Sequence, residues 1–508
     1  MQQERVRTQA GWLVGKSEGN VRCFKGIPYA APPVGRRRWK PPAPFPAWTG
    51  ERDAGRFGPS AFQSGPPGID DITRVGGAPP PFSEDCLTLN VWAPVMGGKA
   101  PVMVWLHGGS GRMGAGSLPF YDGTQFARSG VVLVTVNFRL GHLGFFAHPA
   151  LTDAAGPDEP LGSYGMMDQI AALGWVRDNI AAFGGDPGNV TLFGESMGGF
   201  HVLGLMTCPS ARGLFHRAIV QSGGGWFPPN AVAKAERQGV RVAEALGLPG
   251  AEASADALRA IPPERLAAID GEFHPIIDGR LMPADITPAL AGGAANGIPL
   301  MIGVNSGEDS LLNYPGARRR YLDGFKPRRR LSISRLYGQE PEVSAGLHFR
   351  DMVFTAPARW VAGLNRKAAT YLYLFDHVPP DQRAAGGRAA HGDEIFHIFR
   401  WLDRHPDGRP VTEADRLMSD RLHARWVAFA RDGVPGDWPP HRPGDGRWMV
   451  FDTPDGRLAP HRPEQLLRVA WAAPFLLLLF RLRSFHDRLL RRHTPRRKKE
   501  TIRMQNKP

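Results

Sequence analysis

Ser196 stands in Gly194-Glu195-Ser196-Met197-Gly198, a serine set between glycines at the spacing of a nucleophile elbow. A serine hydroxyl is a poor nucleophile at neutral pH. It attacks a carbonyl when an imidazole takes its proton and a carboxylate holds that imidazole in one tautomer. Both partners follow in the order serine, acid, histidine: Glu308 and Asp309 in Gly307-Glu308-Asp309, then His391 in Ala390-His391-Gly392-Asp393. The oxyanion formed on attack needs amide donors, and the glycine-rich His107-Gly108-Gly109-Ser110-Gly111 is placed to present them. The implied chemistry is acyl transfer. The serine motif alone is weak, because 62 glycines in 508 residues yield about 0.4 chance matches per chain.

The elements around these residues must bring them together. Asn189-Val190-Thr191-Leu192-Phe193 reads as a short buried strand and Met197 to Met206 as a helix, so Ser196 falls on the turn between them. Val102 to Leu106 forms an apolar strand before the glycine loop, and Pro299 to Asn305 forms another before the two acids. Tyr371 to Phe375 is a third, and the loop with His391 lies beyond it. Reactive groups at the carboxyl ends of successive strands are the arrangement of an open α/β sheet. The expectation is an α/β protein with a large, mostly parallel central sheet flanked by helices on both faces.

Longer segments carry a family resemblance. Phe183-Gly184-Gly185-Asp186-Pro187-Gly188-Asn189-Val190-Thr191 leads into the elbow, and Glu84-Asp85-Cys86-Leu87-Thr88-Leu89-Asn90-Val91-Trp92 precedes it. With Gly26-Ile27-Pro28-Tyr29-Ala30, Pro32-Pro33-Val34-Gly35, the segment Asp168 to Phe183 and Gln221-Ser222-Gly223, they resemble the type-B carboxylesterases. That family includes cholinesterases and para-nitrobenzyl esterases, and the resemblance runs from about Gly11 to about Phe451. It implies an α/β-hydrolase fold, Ser196 as nucleophile, His391 as base, and Glu308 rather than Asp309 or Asp393 as the triad acid. It further implies an oxyanion hole from the amides of Gly109, Ser110 and Met197, and acyl-pocket lining by Trp226 and Phe227.

Three departures stand out. Ser110 replaces a glycine or alanine, Met197 replaces a small residue, and Cys86 lacks the upstream partner that many relatives have near Ala61 to Gln63. A β-carbon at Ser110 is costly if the backbone there needs positive φ. Glu195 is expected to turn away from Ser196 as a buried structural carboxylate, His107 to brace the glycine loop, and Ser222 to support the site from behind. Gly65 to Pro81 lies where relatives place a loop over the gorge mouth, a candidate substrate-access lid.

Length and a 42% hydrophobic composition suit one large catalytic domain, expected over residues 1–470, with a basic extension over 471–508. Of the formal charge of +14, residues 481–508 contribute eleven Lys or Arg against Asp487 and Glu500, a net +9 that leaves +5 elsewhere. The tail opens with the apolar run Trp471 to Phe480, shorter than the roughly 20 residues that span a bilayer. It reads as a poorly ordered extension, or as an amphipathic helix making weak contact with an anionic membrane. Arg318-Arg319-Arg320 and Arg328-Arg329-Arg330 read as solvated faces, and no nucleic-acid motif accompanies them. Only Cys23, Cys86 and Cys208 are present, without ligand spacing for zinc or an iron–sulfur cluster. These thiols, and an N-terminus lacking an apolar targeting run, place the chain in the cytoplasm by expectation.

No metal or organic cofactor is expected, because proton transfer and electrostatic stabilisation cover the chemistry. The function read from the sequence is hydrolysis of small to medium carboxylic esters through an acyl-serine. A membrane-associated lipid esterase is the alternative. A non-catalytic binding relative fits poorly, since Ser196, Glu308 and His391 are all present.

Overall fold

Near-continuous runs of Val, Ile, Leu and aromatic residues become strands buried on both faces, the pattern of a parallel sheet covered by helices. The computed structural model describes residues 2–63, 81–95, 98–226, 230–313, 315–402, 408–442 and 446–461. Its strands are β1 (Gln2–Arg7), β2 (Trp12–Glu18), β3 (Val21–Pro28), β4 (Glu51–Asp53), β5 (Thr88–Pro94), β6 (Ala100–Leu106) and β7 (Val132–Val136). They continue with β8 (Gly185–Glu195), β9 (Arg217–Gln221), β10 (Leu300–Asn305), β11 (Thr370–Phe375), β12 (Arg447–Phe451) and β13 (Arg457–Pro460). All join one sheet in the order β1-β2-β3-β5-β7-β6-β8-β9-β10-β11-β12-β13, with β4 beside β2. The run from β7 to β12 is parallel. An antiparallel flank of β1, β2, β3 and β5 precedes it, with β4 parallel to β2, and β13 closes the far side antiparallel.

Alternation along β6 separates two apolar layers. Val102, Val104 and Leu106 pack with the helices Tyr164–Asn179, Met197–Thr207 and Ala356–Leu364. Met103 and Trp105 pack on the opposite face with Met418, Leu422, Trp426 and Phe429 of the helix Glu413–Asp432. Helices therefore cover both faces, as the sequence predicts. The strands that end in β6, β8, β10 and β11 deliver the glycine loop, the elbow, the acid turn and the histidine loop to one edge. No helix among the described residues is long and apolar enough to cross a membrane. The loop 64–80, the tail and the expected boundary at 470 lie outside the described residues.

Candidate active site

Strand β8 runs into the helix Met197–Thr207 through Ser196, whose φ of 53° and ψ of −123° are strained for a residue with a side chain. The Ser196 amide donates to the Gln221 carbonyl at the end of β9 (2.8 Å), which pins the turn. Close packing explains the glycines beside it. A Cβ on Gly198 would lie 2.0 Å from the Leu106 carbonyl oxygen of β6, and one on Gly194 would lie 2.7 Å from the same atom.

Glu308 opens a short 3-10 turn immediately after β10 and is fully buried. Its Oε1 accepts from the Ser222 hydroxyl (2.5 Å) and the Asn305 amide (2.7 Å), and its Oε2 meets His391 Nδ1. The histidine loop is stitched to this turn. The Gly307 amide donates to the Ala389 carbonyl (2.7 Å), Asn305 Nδ2 to the Ala390 carbonyl (2.6 Å), and the His391 amide to Ser310 Oγ (2.9 Å). Asp309 faces elsewhere, its Oδ2 accepting from Arg318 (3.0 Å) and Arg388 (2.9 Å), while Asp393 accepts from the Ala390 amide (2.7 Å). Of the three acids, only Glu308 reaches Nδ1.

Glu195 departs from the sequence expectation. Its Oε1 lies 3.0 Å from His391 Nε2, so it meets the imidazole rather than turning away from the site. The two groups meet as a buried charge contact. Gly108 makes this possible, because a Cβ there would stand 2.6 Å from Glu195 Oε2. A third carboxyl, Glu394, is also buried and accepts from Gln221 Nε2 (3.1 Å) and Asn305 Nδ2 (2.5 Å). Burial, then the nearby charges of Glu195 and Glu308, push its pKa up to about 8. Burial alone would lower the His391 pKa, but Glu195 and Glu308 outweigh it and hold that pKa well above the ordinary histidine range.

In the glycine loop Gly109, Ser110 and Gly111 all take positive φ, 100°, 58° and 68°. Ser110 therefore bears the strain anticipated for a β-carbon there. His107 braces the loop: it stacks on Phe138 at 4.4 Å, its Nδ1 contacts the Gly108 carbonyl oxygen (2.9 Å), and burial lowers its pKa to about 4, which keeps it neutral. Met197 is buried in the apolar layer. Trp226 Nε1 donates to the Met352 carbonyl (2.8 Å) and its ring lies 5.8 Å from Trp360. Phe227 lies outside the described residues.

Sequence reasoning missed two neighbours of His391. Phe354, whose ring centroid is 5.2 Å from the imidazole, sits in the π-helical stretch Asp351–Thr355, whose turn departs from the periodicity that marks an ordinary helix. Glu394 was detectable in principle, three residues beyond His391 on the first turn of the helix Asp393–Ile398. Cys86 is a buried free thiol, as are Cys208 and, less completely, Cys23.

Comparison with known proteins agrees with this fold. The carboxylesterase family profile matches residues 2–336 and 337–465. Fumonisin B1 esterase of Sphingopyxis macrogoltabida is 36% identical over 84% of this chain and 82% of its own. The para-nitrobenzyl esterase of Bacillus subtilis is 34% identical over 88% and 94%. A solved para-nitrobenzyl esterase structure superposes with a TM-score of 0.81 at 31% identity, covering 92% of this chain and 99% of that one. A Geobacillus stearothermophilus carboxylesterase does so with a TM-score of 0.78 at 32% identity and the same coverage. The chain belongs to the carboxylesterase family, and it is a type-B enzyme that hydrolyses carboxylic esters.

Proposed function

We propose that hydrolysis proceeds through an acyl-serine on Ser196. Ser196 Oγ bonds to the ester carbonyl carbon while His391 Nε2 takes the hydroxyl proton, and the oxyanion rests on the amides of Gly109, Ser110 and Met197. The protonated imidazole then gives its proton to the departing alkoxy oxygen as the carbon–oxygen bond breaks. Water repeats the sequence, releasing the acid and restoring Ser196. Glu308 keeps the imidazole oriented throughout. The observation that carries this reading is the junction of His391 Nδ1 with a buried Glu308 anchored by Ser222 and Asn305.

The substrates on this reading are small to medium carboxylic esters, with Trp226 and Phe227 lining the acyl side. We assign residues 1–470 to the catalytic domain and 471–508 to a basic extension, consistent with a family match that ends at 465. Three free thiols support cytoplasmic residence. A fluorophosphonate probe tests the core of the proposal. It is expected to label the native enzyme at Ser196 and to leave Ser196→Ala unlabelled, inactive on p-nitrophenyl acetate and unchanged in melting temperature. Full labelling of Ser196→Ala would refute it.

A further inference from the structure

Six residues beyond His391, the helix Asp393–Ile398 carries His397 into a buried cluster with His377 and Asp415. His377 lies just past the end of β11, and Asp415 lies in the first turn of the helix Glu413–Asp432. His377, His397 and Asp415 are nearly closed to solvent, at 8%, 2% and 1% exposure. One donor atom from each lies within 4.8 Å of the other two. Donors on a tetrahedral zinc ion, bonded at about 2.0–2.2 Å, stand roughly 3.3 Å apart. The donors, at most 4.8 Å apart, would have to close by no more than about 1.5 Å to share one ion.

The bonding of Asp415 is divided between its two oxygens. Oδ2 serves the fold: it accepts from the Thr412 amide (2.8 Å) and hydroxyl (2.7 Å) in a capping box, and from Arg409 Nη1 (2.9 Å). Oδ1 is turned to His377 Nε2 at 2.8 Å. The His397 ring meets that of His377 edge-on, with centroids 5.3 Å apart. Helix capping requires neither histidine, and a carboxylate fixed through one oxygen by outer partners is how ligating carboxylates are commonly held.

We propose that His377, His397 and Asp415 Oδ1 bind a structural divalent cation of the zinc class, with water completing the coordination. Two imidazoles and one carboxylate suit Zn2+ or Co2+ and disfavour Mg2+ or Ca2+, which take oxygen ligands. The ion joins the end of β11, the helix that follows the catalytic histidine, and the start of the helix Glu413–Asp432. Its effect is to fasten the His391 loop, not to enter the chemistry.

The test uses the untagged full chain, stripped with EDTA and titrated with Zn2+ alone. The wild type is expected to bind about one equivalent with a raised melting temperature, and Co2+ to give the intense visible bands of a tetrahedral site. His397→Gln and His377→Gln are each expected to weaken this uptake by more than about 100-fold, beyond what loss of an outer partner costs. Asp415 is left intact because it caps its helix. A wild-type chain that binds no Zn2+ overturns the proposal, whatever the variants do. Equal uptake by wild type and a folded His377→Gln/His397→Gln variant overturns it as well, by placing the metal on other histidines.

Discussion

His391 lies between two carboxylates, and each nitrogen meets a different one. On the proposed mechanism Glu308, at Nδ1, fixes the tautomer; Glu308→Gln is expected to cut turnover by up to about 10,000-fold, the cost of making a triad acid an amide. Asp309→Asn, whose parent carboxylate serves Arg318 and Arg388, is expected to keep most activity. Kinetics of both on one ester decide it, and the reverse ranking would transfer the acid role to Asp309. At Nε2, Glu195 raises the proton affinity of the residue we propose as the base. Glu195→Gln removes that negative charge, lowers the His391 pKa and moves the acidic limb of the kcat/KM profile to lower pH. A limb that stays put or moves upward would show that Glu195 does not set it. The candidates Ser196, Glu308 and His391 were legible because glycines and strand ends punctuate the sequence around them. Glu195 was not, because its direction depends on the His391 loop, far away in sequence, and on the room left by Gly108.

At the level of elements, one buried ion pair ties the loop after β7 to the helix Tyr164–Asn179. Arg139 donates through Nη2 to Asp168 Oδ1 (2.7 Å) and through Nε to Oδ2 (2.8 Å), and its amide also reaches Oδ2 (3.0 Å). The side chains are 3% and 0% exposed. Asp168→Ala leaves Arg139 charged, buried and unmatched, so a loss of about 3–5 kcal/mol is expected in denaturant unfolding. A loss below about 1 kcal/mol would mean water or Lys40 compensates, since Arg139 also donates to the Lys40 carbonyl. The strands β8, β10 and β11 and the elbow helix were readable from apolar runs of the right length. The stretch Asp351–Thr355 was not, because a π turn breaks the period by which helices are recognised.

Across the whole molecule, the parallel half of the sheet follows from the sequence and the antiparallel flank does not. The central strands are written in buried aliphatics, whereas β1 reads Gln2-Gln3-Glu4-Arg5-Val6-Arg7 and buries only Val6. Such a segment pairs because β2 offers it a ladder, not because its own pattern demands a strand.

That polar first strand also bears on how the enzyme behaves in company. A parallel sheet of this width must stop somewhere, and a bare apolar margin would invite a second copy to continue it. Here the margin carries Glu4, Arg5 and Arg7, with Arg5 paired to Glu51 of β4 at 3.0 Å, so an approaching copy meets hydrated charge before it meets free backbone. Charge on an edge strand is one of the devices by which a sheet margin discourages pairing with another chain, so the residues that make β1 illegible as a strand are the ones that suit it to its place.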